Sequence, residues 1–204
     1  MTKKAKAKRG LLVVISGPSG VGKSSVVAHL LKIAPKVKLS TSATTRPPRP
    51  SERQGKDYFF LSEEEFFEKQ KNSDFLESAQ VHGFYYGTPR QFVDEELSAN
   101  RIVVSEVDVQ GAASIKESVE RGRIKPASVV FIFLIPPSVD ILAFRLKKRK
   151  TEDEKIMNYR LRAAIAELQV MEKYDYIVVN DRIESAAEKM KAIINVEKER
   201  VLIN

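Results

Sequence analysis

The stretch Gly17-Pro18-Ser19-Gly20-Val21-Gly22-Lys23-Ser24 constrains this chain more than any other. An apolar run, Leu11-Leu12-Val13-Val14-Ile15, leads into it, and a helical pattern from Val26 to Ile33 leads out. Strand, glycine-rich loop and helix are the setting in which G-x-x-x-x-G-K-[ST] cradles phosphate. Glycine lets the backbone curl until successive N–H groups point inward, and the N-terminus of the next helix adds partial positive charge and unpaired donors. In that setting Lys23 reaches the outer phosphates of a nucleoside triphosphate, and the Ser24 hydroxyl holds Mg²⁺. A chance lysine in a glycine-rich turn would not fill all four fixed positions between such flanks. The expectation is a magnesium–nucleoside triphosphate site in a mononucleotide-binding α/β fold.

A chain of 204 residues suits one α/β domain with insertions. Its 43% hydrophobic and 30% charged content is ordinary for a globular protein. No apolar run approaches the roughly 18 residues of a membrane span, and no apolar core of signal-peptide type follows the basic N-terminus. A cytoplasmic protein without a membrane partner is expected. The lack of cysteine excludes disulfides, thiolate zinc sites and cysteine nucleophiles, and the two histidines, His29 and His82, are too few to suggest a histidine metal centre. Net charge is +8, of which Lys3, Lys4, Lys6, Lys8 and Arg9 supply five. A solvated basic tail over residues 1–9 is a simpler reading than a nucleic-acid contact. The modest remaining positive charge suits anionic substrates.

Along the chain, Val37 to Ala43 reads as a strand. Three prolines in Thr44-Thr45-Arg46-Pro47-Pro48-Arg49-Pro50 forbid a regular element and hold the two arginines on a stiff loop. A short strand over Asp57–Leu61, a helix opened by the capping box Ser62-Glu63-Glu64-Glu65 and a hairpin of Phe75–Val81 with Phe84–Tyr86 around His82-Gly83 follow. Phe59, Phe60, Phe66 and Phe67 read as core. Pro89 opens a helix to about Ala99. Ile102–Val107 is a strand ending in Glu106-Val107-Asp108, and a helix runs on to about Glu120. Ser128–Ile135, almost wholly apolar, is a strand buried on both faces. A helix from Ser138 or Asp140 ends in the cluster Arg145, Lys147, Lys148, Arg149, Lys150. Thr151 caps a longer helix, Tyr176–Asn180 is the last strand, and Ile183 to about Lys198 closes the chain. Strands alternating with helices imply a doubly wound parallel sheet.

Glu106 and Asp108, two apart at a strand end, read as carboxylates on one face at the ligand-binding edge of the sheet. The plainer alternative is that Asp108 caps the next helix. Arg46 and Arg49 read as phosphate ligands, planar guanidinium groups being suited to phosphate oxygens. Arg145, Arg149 and Arg160 are, from chemistry alone, either phosphate ligands or solvated charges.

The ordered set of motifs resembles guanylate kinase over nearly the whole chain. It comprises the phosphate loop, Thr44-Thr45-Arg46-Pro47-Pro48-Arg49, Gly55-Lys56-Asp57-Tyr58-Phe59-Phe60, Phe75-Leu76-Glu77, Tyr85-Tyr86-Gly87-Thr88-Pro89 and Glu106-Val107-Asp108-Val109-Gln110-Gly111. The resemblance implies phosphorylation of GMP or dGMP by ATP with Mg²⁺, on a P-loop kinase fold. That fold has a parallel-sheet core, a small nucleotide-monophosphate-binding insertion and a helical lid. It implies a core over 10–41, 93–136 and 168–204, a GMP-binding segment over 42–92 and a lid region over 137–167. Carried over by motif, Arg46, Arg49, Tyr58 and Tyr86 look like ligands of the GMP phosphate. Ser42, Glu77, Thr88 and Asp108 look like guanine contacts, with Glu106 beside them. Lys23, Arg46, Arg149 and Arg160 form the catalytic set. Residues Gly17, Pro18, Ser19, Gly20, Val21, Gly22, Lys23, Ser24 and Ser25, with Arg145, Arg149 and Asn180, surround ATP, and Ser24 is the metal ligand. Ser78 stands where many members have tryptophan, and Ser25 replaces a common threonine; these few departures put little of the implied site in doubt.

Three other readings compete. A kinase for another nucleoside monophosphate would lack a reason for Glu77. A non-catalytic guanylate-kinase-like module that binds protein partners characteristically has a degraded phosphate loop, whereas this one is intact. A nucleic-acid-binding protein would rest on the basic tail alone.

Overall fold

The apolar run before the phosphate loop is the centre of a parallel sheet. In the computed structural model, which describes residues 10–81, 83–122, 124, 128–147 and 154–200, β1 (Leu11–Ser16) is wholly buried. It pairs on one side with β7 (Ile102–Glu106) and on the other with β8 (Ser128–Ile135). Outside these lie β2 (Val37–Leu39) and β9 (Tyr176–Val179), giving the order β2-β7-β1-β8-β9, all parallel. Alternation along β1 feeds two cores. Leu11, Val13 and Ile15 pack beneath α1 (Lys23–Ile33) and α7 (Ile183–Glu199). Leu12 and Val14 pack beneath α3 (Arg90–Ser98) and α4 (Val109–Glu120). The sheet is covered on both faces, as its apolar strands require.

A second, four-stranded sheet is built from the segment between β2 and α3. Its order is β4 (Phe59–Phe60), β3 (Ala43–Thr44), β6 (Phe84–Pro89), β5 (Phe75–Val81). The stretch from Val37 to Ala43 is therefore two strands rather than one. Ser40 N–H still bonds Val104 O in the first sheet at 2.9 Å, and three residues later Ala43 pairs with Gly87 and Phe59 in the second. Both pieces favour extended backbone, so local pattern does not mark the change of sheet; only the small polar run Ser40-Thr41-Ser42 does.

Helix α2 (Glu63–Lys71) starts with the expected capping box. Ser62 Oγ accepts from Glu65 N–H at 3.1 Å, and Ser62 N–H donates to Glu65 Oε2 at 2.8 Å. Its Phe66 is fully buried and stacks on Phe75 with ring centroids 4.6 Å apart. With Ala43 they form a small core of the second sheet's own. Phe59 and Phe67, expected in the core, are 40% and 41% exposed. Adjacent helical residues point about 100° apart, so Phe67 leaves the core and rests edge-on against Tyr85.

Helices α5 (Val139–Lys147) and α6 (Glu154–Leu168) lie between β8 and β9 in the chain and pack on each other through Leu142, Leu146, Leu161 and Ala164. The tail 1–9, His82, Lys148, Arg149, Lys150 and the expected cap Thr151 lie outside the described residues. Among the described residues no helix is long and apolar enough to cross a membrane.

Phe66→Ala is expected to lower stability by about 3–5 kcal/mol, the usual loss for a buried phenylalanine. Urea unfolding of the purified variant measures it. A midpoint matching the parent would mean that the second sheet does not depend on this aromatic core.

Candidate active site

The phosphate loop leaves β1 at Gly17 and becomes α1 at Lys23. Gly17 and Gly22 hold φ of 146° and 97°. A Cβ at Gly17 would stand 2.3 Å from Leu134 O, and one at Gly22 2.7 Å from Asn180 Nδ2. Both positions need glycine for conformation and for space. Gly22 is also the N-cap of α1 and offers no side-chain acceptor, so the first N–H groups of the helix remain for an anion.

The loop is braced from several sides. Lys23 Nζ donates to Gly17 O at 2.6 Å, which puts the ammonium over the loop's first turn. Val21 O accepts from Asn180 Nδ2 at 2.7 Å and from Arg145 Nη1 at 3.1 Å, and Arg145 Nη2 donates to Asn180 O at 3.1 Å. Arg145 and Asn180 thus hold the loop's backbone. Helix α5 covers the loop at Gly20, where a Cβ would meet Leu146 Cδ2 at 2.6 Å. Arg160 Nη2 donates to Ser19 Oγ at 3.1 Å, and Ser19 N–H donates to Glu167 Oε2 at 3.0 Å, both from α6. Pro18 O accepts from Val21 N–H at 3.2 Å, and the Val21 side chain is buried in the core. Ser25 is exposed in the first turn of α1.

Ser24 Oγ donates to Glu106 Oε1 at 2.8 Å at the end of β7. Burial pushes the Glu106 carboxyl above its usual range, opposed by the Lys23 ammonium and the Ser24 hydroxyl. A hydroxyl and a carboxylate are hard oxygen donors and suit Mg²⁺. Among the described residues no cluster of three or more His, Cys, Asp or Glu could hold a metal ion. A cation here would complete its shell from phosphate and water, as Mg²⁺ at nucleotide sites ordinarily does.

Beyond Lys23 a cleft opens between the two sheets. Lys23, Ser42, Tyr58, Glu77, Tyr86, Glu106 and Asp108 line it, so most of the residues expected around GMP converge there, whereas Arg46, Arg49 and Thr88 are not in its lining. Glu77 on β5 is 8% exposed. Its Oε1 accepts from Thr88 Oγ1 at 2.7 Å, and Thr88 Oγ1 lies 3.3 Å from Ser105 Oγ of β7. Thr88 is fully buried and stands behind Glu77 rather than on the cleft surface. Burial pushes Glu77 up to about 7; the Thr88 hydroxyl opposes the rise and nearby Asp108 adds to it. Asp108 and Glu106 do not share a strand face. The strand ends at Glu106, and Asp108 is the N-cap of α4, accepting from Gly111 N–H at 2.8 Å. The next helix begins so soon that the carboxylate turns to cap it, yet both acids still face the cleft. Gly111 matters there: a Cβ on it would stand 2.8 Å from Glu77 Oε2.

Arg46 and Arg49 meet on Glu52, a residue the sequence reading passed over. Arg46 Nη2 donates to both Glu52 oxygens at 2.9 Å, Arg49 N–H donates at 2.8 Å, and Arg49 Nη1 lies at 3.5 Å. Burial alone would raise Glu52; the Arg49 N–H and the Arg46 guanidinium outweigh it and hold the carboxyl below its usual range. Arg46 also lies over the Tyr58 ring, 5.4 Å from its centroid. Burial, then the nearby Glu106, push the Tyr58 phenol up to about 12, so it stays a donor at neutral pH. Glu52 stands three residues after Arg49, a spacing that carries no signal in an irregular loop. Glu167 was likewise unmarked, being one of many charges on a helical face.

A phosphate loop at the carboxyl edge of a parallel sheet, facing a cleft lined by carboxylates with Arg46 over its Tyr58 ring, defines a phosphotransferase of the P-loop class. The sequence model of guanylate kinase matches residues 9–197. The guanylate kinase of Caldanaerobacter subterraneus is 48% identical over 95% of this chain and 91% of its own. That of Thermotoga maritima is 45% identical over 96% and 91%. The crystal structure of guanylate kinase from Anaplasma phagocytophilum superposes with a TM-score of 0.77 at 31% identity, covering 97% of this chain and 90% of that one. The chain belongs to the guanylate kinase family.

Glu77 has a consequence for stability. Its carboxyl, raised to about 7 in the folded protein, adds stability below the unfolded value and loses it as pH rises through the folded one. Glu77→Gln removes this dependence. Its stability relative to the parent is expected to rise between pH 5 and pH 8, by on the order of 3 kcal/mol. Urea midpoints at the two pH values measure this; a difference that stays constant would mean the carboxylate is not desolvated.

Proposed function

We propose that this protein transfers the γ-phosphoryl group of ATP to GMP, or to dGMP, giving ADP and GDP or dGDP. The observation that carries the reading is Glu77, a buried carboxylate in a cleft that opens on the phosphate-loop lysine. Guanine presents two donors side by side, N1–H and the 2-amino group, and an ionised carboxylate accepts both. Adenine presents a bare acceptor at N1, which would leave the carboxylate unpaired. Thr88 fixes one Glu77 oxygen from behind, and Ser42 and Asp108 stand beside the base. Arg46, Arg49, Tyr58 and Tyr86 receive the GMP phosphate, for which Glu52 stands in between the two arginines.

The acceptor phosphate has a second pKa of about 6 and is largely ionised at neutral pH, so no side chain need remove a proton. An oxygen of GMP attacks the γ-phosphorus, the bond to the β–γ bridging oxygen breaks, and its electron pair leaves with ADP. Catalysis is then positioning and charge neutralisation. Lys23 lies between loop and cleft and faces the negative charge on the transferred group. Arg160, which reaches Ser19 from α6, and Arg149 supply further positive charge to the phosphates of ATP. Mg²⁺, held with the phosphates by Ser24 and through Glu106, would neutralise charge on the triphosphate. Within this reading 42–92 is the GMP-binding segment and 137–167 the lid, the two closing to exclude water. The substrates are free nucleotides, and the enzyme works among them in the cytoplasm.

A coupled assay of ADP release with GMP, AMP, CMP and UMP tests the reading, and turnover with GMP alone is expected. Lys23→Ala should lower kcat by about 10²–10³-fold, the range for losing one donor to transition-state charge. Normal turnover in the folded variant would remove the loop from the reaction. Glu77→Ala should raise KM for GMP by about 10²-fold and leave KM for ATP within about twofold. Equal effects on both constants would take Glu77 out of the base site.

A further inference from the structure

Glycines at 17, 20 and 22 free the phosphate loop's backbone, so its shape depends on what holds it from outside. Arg145 and Asn180 hold the second half at Val21 O. The first half is held at Ser19, and there both partners come from α6: the Arg160 guanidinium on the hydroxyl and the Glu167 carboxylate on the backbone N–H. The two are seven residues apart, near two turns, and so share a face. Ser19 thus takes a cation on one group and an anion on the other, and both are rigidly linked by one helix.

A carboxylate close to a triphosphate is an unfavourable neighbour unless it does something the reaction needs. Among the described residues, Glu167 accepts from the one loop amide that bonds a side chain. We infer that Glu167 is a positioning residue: it clamps Ser19 to α6, so that the loop and Arg160 keep a fixed separation when the triphosphate is bound. The inference rests on the ATP-dependent transfer proposed above. Glu167 touches no reacting atom in it; it acts through the loop. Loss of the clamp would release the Ser19 amide, with Arg160 still on the hydroxyl and Lys23 still on Gly17 O, and an ångström of misplacement can lower a rate about 10²-fold.

The test compares Glu167→Ala and Glu167→Gln with the parent in kcat, in KM for ATP and GMP, in ADP affinity by calorimetry and in melting temperature. Alanine should lower kcat by about 10- to 100-fold, raise KM for ATP and weaken ADP binding, with KM for GMP within about twofold. Glutamine keeps an oxygen that accepts the same bond and should recover most of the loss. Four results would each overturn the clamp. These are unchanged ATP constants in the alanine variant, glutamine as impaired as alanine, KM for GMP rising as much as that for ATP, and tighter ADP binding in the alanine variant. The last would mean that Glu167 competes with the nucleotide for the loop. A parent protein that binds ADP but transfers nothing to GMP would refute the proposed reaction, while the ADP affinities would still judge the clamp.

Discussion

Helix α1 begins without a side-chain cap, and the site is organised around that omission. A helix ordinarily satisfies its first N–H groups with a serine, threonine, aspartate or asparagine. Here a left-handed glycine takes the place, and the donors face the end of the sheet. The arrangement depends on β1 being the central strand, buried on both sides, so that the loop emerges where β7 and β8 also end. Glu106, Asp108 and Leu134 are brought to the loop by this register rather than by nearness in sequence.

Around these donors the protein sets its charges in opposed pairs. Glu52 lies on Arg46 and Arg49, Glu106 accepts from Ser24 near Lys23, and Glu167 accepts from the residue that Arg160 also holds. Among the described residues Lys23, Arg46, Arg49 and Arg145 already face a carboxylate or a carbonyl. A polyanionic ligand therefore exchanges one set of partners for another instead of quenching bare charge. Glu77 differs: the groups that act on it are the Thr88 hydroxyl and Asp108 rather than a cation, and burial drives its carboxyl toward the protonated form. A ligand with two donors reverses that preference, which is how a costly group becomes a selective one.

Much of this was legible in the chain because the signals were local. The phosphate loop, the capping box at Ser62, the continuous apolar run of β8 and the helix from Ile183 each depend on residues next to one another. What escaped depends on residues far apart or on geometry without periodicity. Val37 to Ala43 reads as one strand because both halves favour extended backbone; the change of sheet is decided by Val104 on one side and Gly87 on the other. Asp108 was legible both as a cleft residue and as a cap, and it is both. Glu52 and Glu167 were invisible because a carboxylate in an irregular loop or on a charged helix is ordinarily solvated, and only the fold shows what each one touches.

The second sheet lies in the connection between β2 and β7, which are neighbours in the first. A minimal crossover between parallel strands takes a dozen or so residues, whereas this one occupies residues 40–101. Closing the longer loop adds a little over two doublings in length, about 1.4 kcal/mol of chain entropy. The aromatic stack of Phe66 on Phe75 is large enough to offset that by itself. In the function proposed above this crossover carries the acceptor site, and the polymer exacts almost nothing for it. A triphosphate-binding core of this kind can change what it phosphorylates by remodelling one surface connection, with its central strands left as they are.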